Sequence, residues 1–334
     1  MKAACVEQIG QLALREIDRP FCERDDILVR VKACTICGTD VKMLNHGYRR
    51  AAFPLIIGHE ASGVICETGE AVTGFGVGDR VVVAPAGVGC GECPYCRSGR
   101  PNRCGNRTAI GHELPGGFAE FLRIPDAIWK GGALQRIPDG LDLEAAALTE
   151  PLGCVVNGQQ ILGIDSGDSI VVLGAGPIGL LHALLARVSG AREVFMIDPD
   201  RTRLAALPDM DVMKRIDASD VDPVTAVRDA TGGLGADGVI VAAPAAGAQQ
   251  QALALVRDGG RVSFFAGLPT GTDAVELDSN RIHYGELKVA GASSSRPEHA
   301  RIALELLYAG KIDADAVISH RFPLTEIEKA FELL

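Results

Sequence analysis

Ser169-Ile170-Val171-Val172-Leu173-Gly174-Ala175-Gly176-Pro177-Ile178-Gly179 decides how the second half of this chain folds. A short run of buried-strand type leads into G-x-G-x-x-G, and a helix-length apolar stretch follows from Pro177 to about Val188. A second strand, Glu193 to Ile197, then ends at Asp198. Glycine-rich turns are common, and alone this one would mean little. Here the turn follows a strand, opens a helix and is answered by an acidic residue at the end of the next strand, which is the context of a dinucleotide site. Gly174 permits the tight turn. Gly176 lets the backbone approach a pyrophosphate at the helix N-terminus, and Gly179 lets helix and strand pack closely. Pro177 and Ile178, inside the turn, belong to the same candidate site. Asp198 is placed to accept hydrogen bonds from ribose hydroxyls, and its charge would repel a 2′-phosphate, so NAD is favoured over NADP. Arg201 and Arg203 lie just beyond and soften that preference, and Arg203 is counted with the candidate cofactor residues. A plain strand–turn–helix unit does not explain three glycines and an acidic residue at these offsets.

Outward from this turn, further strand candidates are Val212 to Ile216, Gly238 to Val241, Arg261 to Phe265 and Leu287 to Ala290, with helical segments between most of them. Strand and helix in alternation imply a parallel sheet with helices on both faces. Upstream the pattern changes near Leu141, where Leu143 to Leu148 is alanine-rich and helical in composition. Residues from about 1 to 140 read as short strands broken by Gly, Pro and Asp, among them Ile27 to Val31, Ala61 to Cys66 and Arg80 to Ala84. This part is expected to be compact and mostly antiparallel. After Pro297 come a helix from His299 to Tyr308, a short strand near Val317-Ile318 and a further helix from Leu324.

The totals agree with two domains. A chain of 334 residues is long for one ordinary core. Its hydrophobic fraction of 47% and charged fraction of 23% are those of a soluble globular protein. The net charge of −10 argues against a phosphate-backbone partner, which requires clustered Lys and Arg, so no nucleic acid is expected. No apolar run is long enough to span a bilayer. Met1-Lys2-Ala3-Ala4-Cys5 lacks the apolar core of a signal peptide, so the expected compartment is the cytoplasm. Ten cysteines in that compartment point to metal rather than to a disulfide framework.

Four of them cluster. Cys90, Cys93, Cys96 and Cys104 are spaced C-x₂-C-x₂-C-x₇-C. Four thiolates this close can close a tetrahedron around Zn²⁺ with no open position, which makes a structural site. An iron–sulfur cluster also uses four cysteines, but its usual spacings differ. The lobe is poor in apolar residues and is expected to depend on its metal for order. A second, looser signal is Cys37-Gly38-Thr39-Asp40 with Gly58-His59-Glu60. Thiol and imidazole are a donor pair that suits zinc. Two residues do not make a site, and a buried cysteine beside a satisfied core histidine is the plain alternative.

Together these motifs, in this order, resemble the zinc-dependent alcohol dehydrogenases of the medium-chain dehydrogenase/reductase superfamily over nearly the whole chain. Leu148-Thr149-Glu150-Pro151 is most similar to the sorbitol (polyol) dehydrogenase branch. The resemblance implies an α/β protein made of a GroES-like β-rich catalytic domain (residues 1–140, with a zinc lobe at about 87–108) and a Rossmann doubly wound parallel-sheet domain (141–285). A C-terminal segment (286–334) would finish the Rossmann sheet and return to the catalytic domain. It implies a catalytic zinc held by Cys37, His59 and Glu150, with Glu60 holding or briefly replacing the fourth ligand. Asp40 would orient His59 through its other ring nitrogen. Thr39 would take the alcohol proton. Five residues after the ligand cysteine, much of this branch has a relay histidine; here it is Lys42, so the outer relay is altered. His46-Gly47-Tyr48-Arg49-Arg50 follows, with arginines able to meet a carboxylate or phosphate or else to form a solvated basic turn. His112, His182, His283, His299 and His320 read as core or surface residues. The implied reaction is hydride transfer between a secondary alcohol (polyol, sugar alcohol or cyclitol-like) and NAD, with a threonine-dehydrogenase-like or simple secondary-alcohol enzyme as the alternative and a non-catalytic NAD sensor a lesser one. The edge strand near Leu287 to Ala290 is a natural pairing surface for a homodimer or homotetramer. Family members usually run past the helix beginning near Thr325 into a short terminal strand, whereas this sequence ends at Leu334.

Overall fold

The computed structural model describes residues 1–269 and 271–334, which divide into two compact units. The first comprises Met1–Gly153, Ser294–Gly310 and Ile318–Leu334. In it β1 (Lys2–Gln8) pairs antiparallel with β2 (Gln11–Glu16) and with β4 (Leu55–Ile56). The larger sheet is antiparallel and five-stranded. It runs β10 (Leu134–Arg136), β6 (Arg80–Val83), β5 (Glu60–Thr68), β3 (Ile27–Thr35), β9 (Phe121–Ile124). Alternation along these strands buries one face around Ile27, Val29, Ile65, Val81, Val83, Leu122 and Ile124. At about 1.5–3 kcal/mol for each fully buried aliphatic side chain, this face is what holds the sheet. α1 (Gly38–His46) follows β3 directly. β7 (Gly87–Val88) and β8 (Thr108–Ala109) pair at the root of a lobe that contains α2 (Pro94–Arg97). α3 (Asp126–Lys130) follows β9.

α4 (Leu143–Ala147) buries Ala146 and Ala147, and the Leu143 carbonyl accepts a 2.6 Å hydrogen bond from Ser62 Oγ on β5. That packing keeps α4 and the first turn of α5 (Thr149–Leu162) in the first unit, so the division falls inside α5, later than the composition change near Leu141.

The second unit comprises Cys154–Ser293 and Lys311–Val317. Its sheet is six-stranded and parallel, in the order β13 (Met213–Asp217), β12 (Glu193–Asp198), β11 (Ser169–Leu173), β14 (Ala236–Val241), β15 (Val256–Phe264), β16 (Lys288–Gly291). The helices between strands are α6 (Pro177–Val188), α7 (Arg201–Ala206), α8 (Pro223–Ala230), α9 (Ala246–Leu255) and α10 (Ser279–Tyr284). Strand order reverses beside β11, and the glycine turn lies at the end of β11, where open α/β sheets bind ligands. Val171, Leu173, Phe195, Ile197, Val239, Val241 and Val262 form its core, which explains why these strands read as apolar runs rather than as alternations. Gly179 shows why the turn needs glycine: a Cβ there would lie 1.9 Å from the Gly174 carbonyl oxygen.

Two expectations need correction. β15 starts at Val256, well before Arg261, because Ala236 pairs with Val256 ahead of a register shift that lets Asp258, Gly259 and Gly260 enter the strand. Val317 and Ile318 form no strand. Val317 closes a turn onto the Ala314 carbonyl, and Asp313 accepts from the Asp315 amide, so local hydrogen bonds outcompete a two-residue apolar run. The last two helices, α11 (Pro297–Tyr308) and α12 (Ile327–Glu332), belong to the first unit.

Candidate active site

The register of β3 against β5 builds the site. Thr35, the last residue of β3, pairs with Glu60, the first of β5. Cys37 therefore comes beside His59 although the two are far apart in sequence. Cys37 is the residue before α1 in extended conformation, and Asp40 in the first turn accepts the Cys37 amide through Oδ2 at 2.9 Å. The other oxygen, Oδ1, accepts from the Gly58 amide at 3.2 Å and lies 3.2 Å from His59 Nδ1. Asp40 is completely buried, so these three contacts satisfy its charge. They also place the ring proton on Nδ1 and leave His59 Nε2 as the ligand atom. Gly58 sits at φ +92°, and a Cβ there would meet the Phe118 ring at 2.8 Å, so only glycine delivers His59 at this angle.

His59 Nε2 lies 3.9 Å from Glu60 Oε1, while Glu60 Oε2 accepts from Thr35 Oγ1. One donor atom each from Cys37, His59 and Glu60 lie within 4.8 Å of one another. Burial pushes the Glu60 carboxyl up to about 8, with the His59 charge opposing and the like charge of Glu150 adding to it. Burial, then Glu60, also raises the Cys37 thiol. For His59 burial favours the neutral ring, but Asp40 overcomes it and raises the group well above its ordinary value. Cys37 and Glu60 are thus donors whose anionic, metal-binding forms burial disfavours. A divalent cation bound among them would remove that penalty, and thiolate, imidazole and carboxylate are the donor set of zinc. The residues fit the metal.

Two carboxylates stand differently toward the Cys37–His59 pair. Glu60 stands in the close group. Glu150, in the first turn of α5 and 5% exposed, is near enough to act on Glu60 by charge, yet lies outside the mutually close group; its Oε1 accepts the Ala86 amide at 3.4 Å. Thr39 is half-buried in the first turn of α1, and Lys42 is exposed one turn on.

Three contributors were missed in the sequence. Thr35 anchors Glu60. His112 packs edge-on against His59, ring centroids 4.8 Å apart, and against Tyr48 at 5.3 Å. Arg50, read as a solvated or anion-binding arginine, instead donates to the carbonyls of Gly105 at 3.2 Å and Arg107 at 2.5 Å and pairs with Glu113 at 3.2 Å. Its guanidinium is committed to the chain following Cys104. No local signal marks these residues, because each acts on a partner distant in sequence.

In the lobe, the sulfurs of Cys90, Cys93, Cys96 and Cys104 all lie within 4.8 Å of one another. The Cys90 amide points at Cys104 Sγ at 3.4 Å, and Cys104 alone of the four is buried. Arg296, just before α11, donates to Gly99 O at 3.0 Å and ties the lobe down. A closed group of four thiols fits zinc with no position left for a substrate.

In the second unit Gly176 precedes α6, and a Cβ there would meet nothing within 4 Å, so space remains in front of the helix N-terminus. Asp198 is buried and braces the turn: Oδ2 accepts from Ala175 N and Oδ1 from Asp200 N, both at 2.8 Å. A carboxylate has about four acceptor positions, so capacity for ribose hydroxyls remains. Arg203 pairs with Asp200 at 3.6 Å and Arg201 with Asp217 at 2.6 Å, so both are drawn to other carboxylates. Pro177 and Ile178 form the first turn of α6.

Two family models match this chain: the alcohol dehydrogenase GroES-like domain over residues 23–139 and the zinc-binding dehydrogenase over 177–321. A sorbitol dehydrogenase of Halalkalibacterium halodurans is 34% identical, with 97% of this chain and 93% of that protein covered. An L-threonine 3-dehydrogenase of Bacillus subtilis is 33% identical over 96% of this chain and 91% of that protein. Among solved structures, a zinc-binding dehydrogenase from Sinorhizobium meliloti with NADP bound superposes with a TM-score of 0.90 at 36% identity, covering 99% of this chain and 94% of that one. With both halves of the fold, the thiol–imidazole–carboxylate group and the glycine turn in one polypeptide, the chain belongs to the zinc-dependent alcohol dehydrogenases of the medium-chain dehydrogenase/reductase superfamily.

Proposed function

We propose that this dehydrogenase oxidises a secondary alcohol bearing further hydroxyls (a polyol, sugar alcohol or cyclitol-like compound) with NAD as hydride acceptor. The observation that carries the reading is the Cys37–His59–Glu60 group with Asp40 behind His59. Zinc held by these residues would supply polarisation of the alcohol oxygen, easing loss of its proton, and NAD would supply the hydride acceptor. The chain's own residues do the rest. Cys37, His59 and Glu150 hold the metal, with Glu60 able to exchange with Glu150 as the carboxylate ligand. Asp40 fixes the His59 tautomer. Thr39 takes the alcohol proton, and Lys42, exposed beyond it, stands where an outer relay would hand that proton to water. Gly174, Gly176, Pro177, Ile178 and Gly179 receive the pyrophosphate, Asp198 the ribose and Arg203 the rim of that site. Cys90, Cys93, Cys96 and Cys104 hold a structural zinc.

Glu150→Ala separates the two carboxylates. With Glu150 a ligand, zinc content and kcat fall together, kcat by about a hundredfold or more, as loss of part of the several kcal/mol of metal catalysis requires. Unchanged activity and full zinc occupancy would leave Glu60 as the sole carboxylate.

The similar identity of the threonine dehydrogenase supports a second reading, in which the carbinol lies next to an ammonium-bearing carbon. The NADP-bound relative supports a second cofactor, which the charge of Asp198 opposes. One experiment tests the reading: nicotinamide absorbance followed over polyols, sugar alcohols and their phosphates, L-threonine and simple secondary alcohols, each with NAD and NADP. Turnover of polyols with NAD is expected; turnover of threonine alone would replace the substrate class. We further place the protein in the cytoplasm as a homodimer or homotetramer paired through β16, the exposed edge of the parallel sheet.

A further inference from the structure

His112 packs against His59 of the Cys37–His59–Glu60 group, with its ring in T-shaped contact with both His59 and Tyr48. Its Nδ1 lies 3.1 Å from the Ile110 carbonyl oxygen. A carbonyl only accepts, so Nδ1 carries the proton and the neutral ring offers Nε2 as an acceptor. His112 is half-buried; among the described residues its Nε2 has no hydrogen-bond partner and is not sealed from solvent.

The ring is held in place from both sides. Gly111 packs so closely that a Cβ would lie 2.7 Å from the Gly58 carbonyl oxygen and 3.1 Å from His59 Cβ. Glu113 accepts the Ala109 amide at 2.9 Å and pairs with Arg50 at 3.2 Å. Asp40 is engaged with Cys37, Gly58 and His59, and Glu60 accepts from Thr35 while standing among the metal's candidate ligands. His112 Nε2 adds a neutral acceptor next to His59 that is not itself one of those ligands.

Resting on the alcohol-oxidation reading, the geometry points to His112 as a specificity-determining residue whose Nε2 accepts a hydrogen bond from a donor on the carbon next to the reacting carbinol, either a vicinal hydroxyl or an ammonium. A simple secondary alcohol has no such donor and leaves the desolvated imidazole unpaired, which is how a polar site rejects an analogue lacking its hydrogen-bonding group.

Propane-1,2-diol, 1-amino-2-propanol and 2-propanol share the same methyl carbinol and differ only at the neighbouring carbon, which bears a hydroxyl, an ammonium or neither. The test is kcat/KM for all three with the zinc-loaded full-length enzyme and NAD near pH 8, where an ordinary imidazole is neutral. The diol or the amino alcohol is expected to lead 2-propanol by about 10–100-fold, the range of one well-made polar contact. The ratio itself says which donor is read, hydroxyl or ammonium. His112→Leu should shrink that ratio at least about tenfold, and His112→Gln, which keeps an acceptor, should retain part of it. Zinc content and melting temperature of each variant separate a local loss from unfolding. ¹⁵N-histidine NMR of the zinc-loaded protein should show His112 protonated at Nδ1, with Nε2 shifting when the preferred substrate is added. A ratio unchanged in His112→Leu, or an Nε2-protonated ring, overturns the assignment. Wild type that oxidises 2-propanol as well as the other two overturns the role of His112 alone. Wild type that oxidises no alcohol overturns the underlying reading as well.

Discussion

His59→Ala lowers kcat/KM for the alcohol by at least about a thousandfold and takes bound zinc from about two ions per chain toward one, since each of the two donor groups accounts for one ion. The size follows from what the histidine joins. Polarisation of the alcohol by the metal supplies several kcal/mol, and about 4 kcal/mol corresponds to a thousandfold. Alanine removes one of the three close donors and leaves Cys37 and Glu60, whose anionic forms burial already disfavours, to hold the ion. It also takes the His59 contact at 3.2 Å from the fully buried Asp40, which is left with the Cys37 and Gly58 amides as partners. A buried carboxylate that loses its one side-chain partner costs more than the lost contact alone. The thermal midpoint should therefore fall by a few degrees even though the variant remains folded. Zinc by mass spectrometry and steady-state kinetics are the measurements. A variant that keeps two zinc ions and a tenth of wild-type activity would remove His59 from the metal site.

Cys104→Ser should have the largest effect on the folded state. Cys104 is the buried member of the four-thiol group, and the segment between Gly89 and Arg107 otherwise presents mostly exposed polar side chains. It has no apolar core to fall back on, so its order comes from the metal, whose binding in isolated small sites contributes roughly 10–16 kcal/mol. Losing part of that should lower the melting temperature by roughly 10 °C, given about 2–4 °C per kcal/mol at this domain size. The loss should also open the lobe to trypsin at Arg97, Arg103 and Arg107. Disorder would reach the carbonyls of Gly105 and Arg107 that Arg50 grips, and through Glu113 the segment carrying His112. Activity should therefore fall as well, although no catalytic donor is touched. Retention of both zinc ions and of trypsin resistance would sink the structural assignment.

The parts that could be read without coordinates share one property: their residues act on near neighbours in the chain. The glycine turn needs Gly179 because its Cβ would strike Gly174, five residues away. The four thiols are spaced by short intervals, so their spacing constrains their geometry. The alternation of strand and helix from Ser169 onward reflects buried parallel strands, whereas their order around β11 is set by the tertiary structure. The errors were local too. Val317-Ile318 was apolar enough for a strand, but Asp313 and Ala314 capture its surroundings in a turn. The early start of β15 was hidden by Asp258, Gly259 and Gly260, residues that only an irregular pairing admits.

The amino-acid sequence by itself determined the two kinds of layer, the glycine turn with its acidic partner, the closed thiol lobe and the family to which the chain belongs. Only the tertiary structure decided which side chains share the metal's surroundings. The pairing of Thr35 with Glu60 brings Cys37 to His59, the closer carboxylate to them is Glu60 rather than Glu150, and His112 and Arg50 enter through packing. The reason is physical. Short-range motifs are held by bond lengths and steric exclusion between neighbours, which residue types and spacing specify. Long-range juxtaposition is set by strand register and by the burial of distant apolar faces, to which every residue of both strands contributes and which no single stretch encodes.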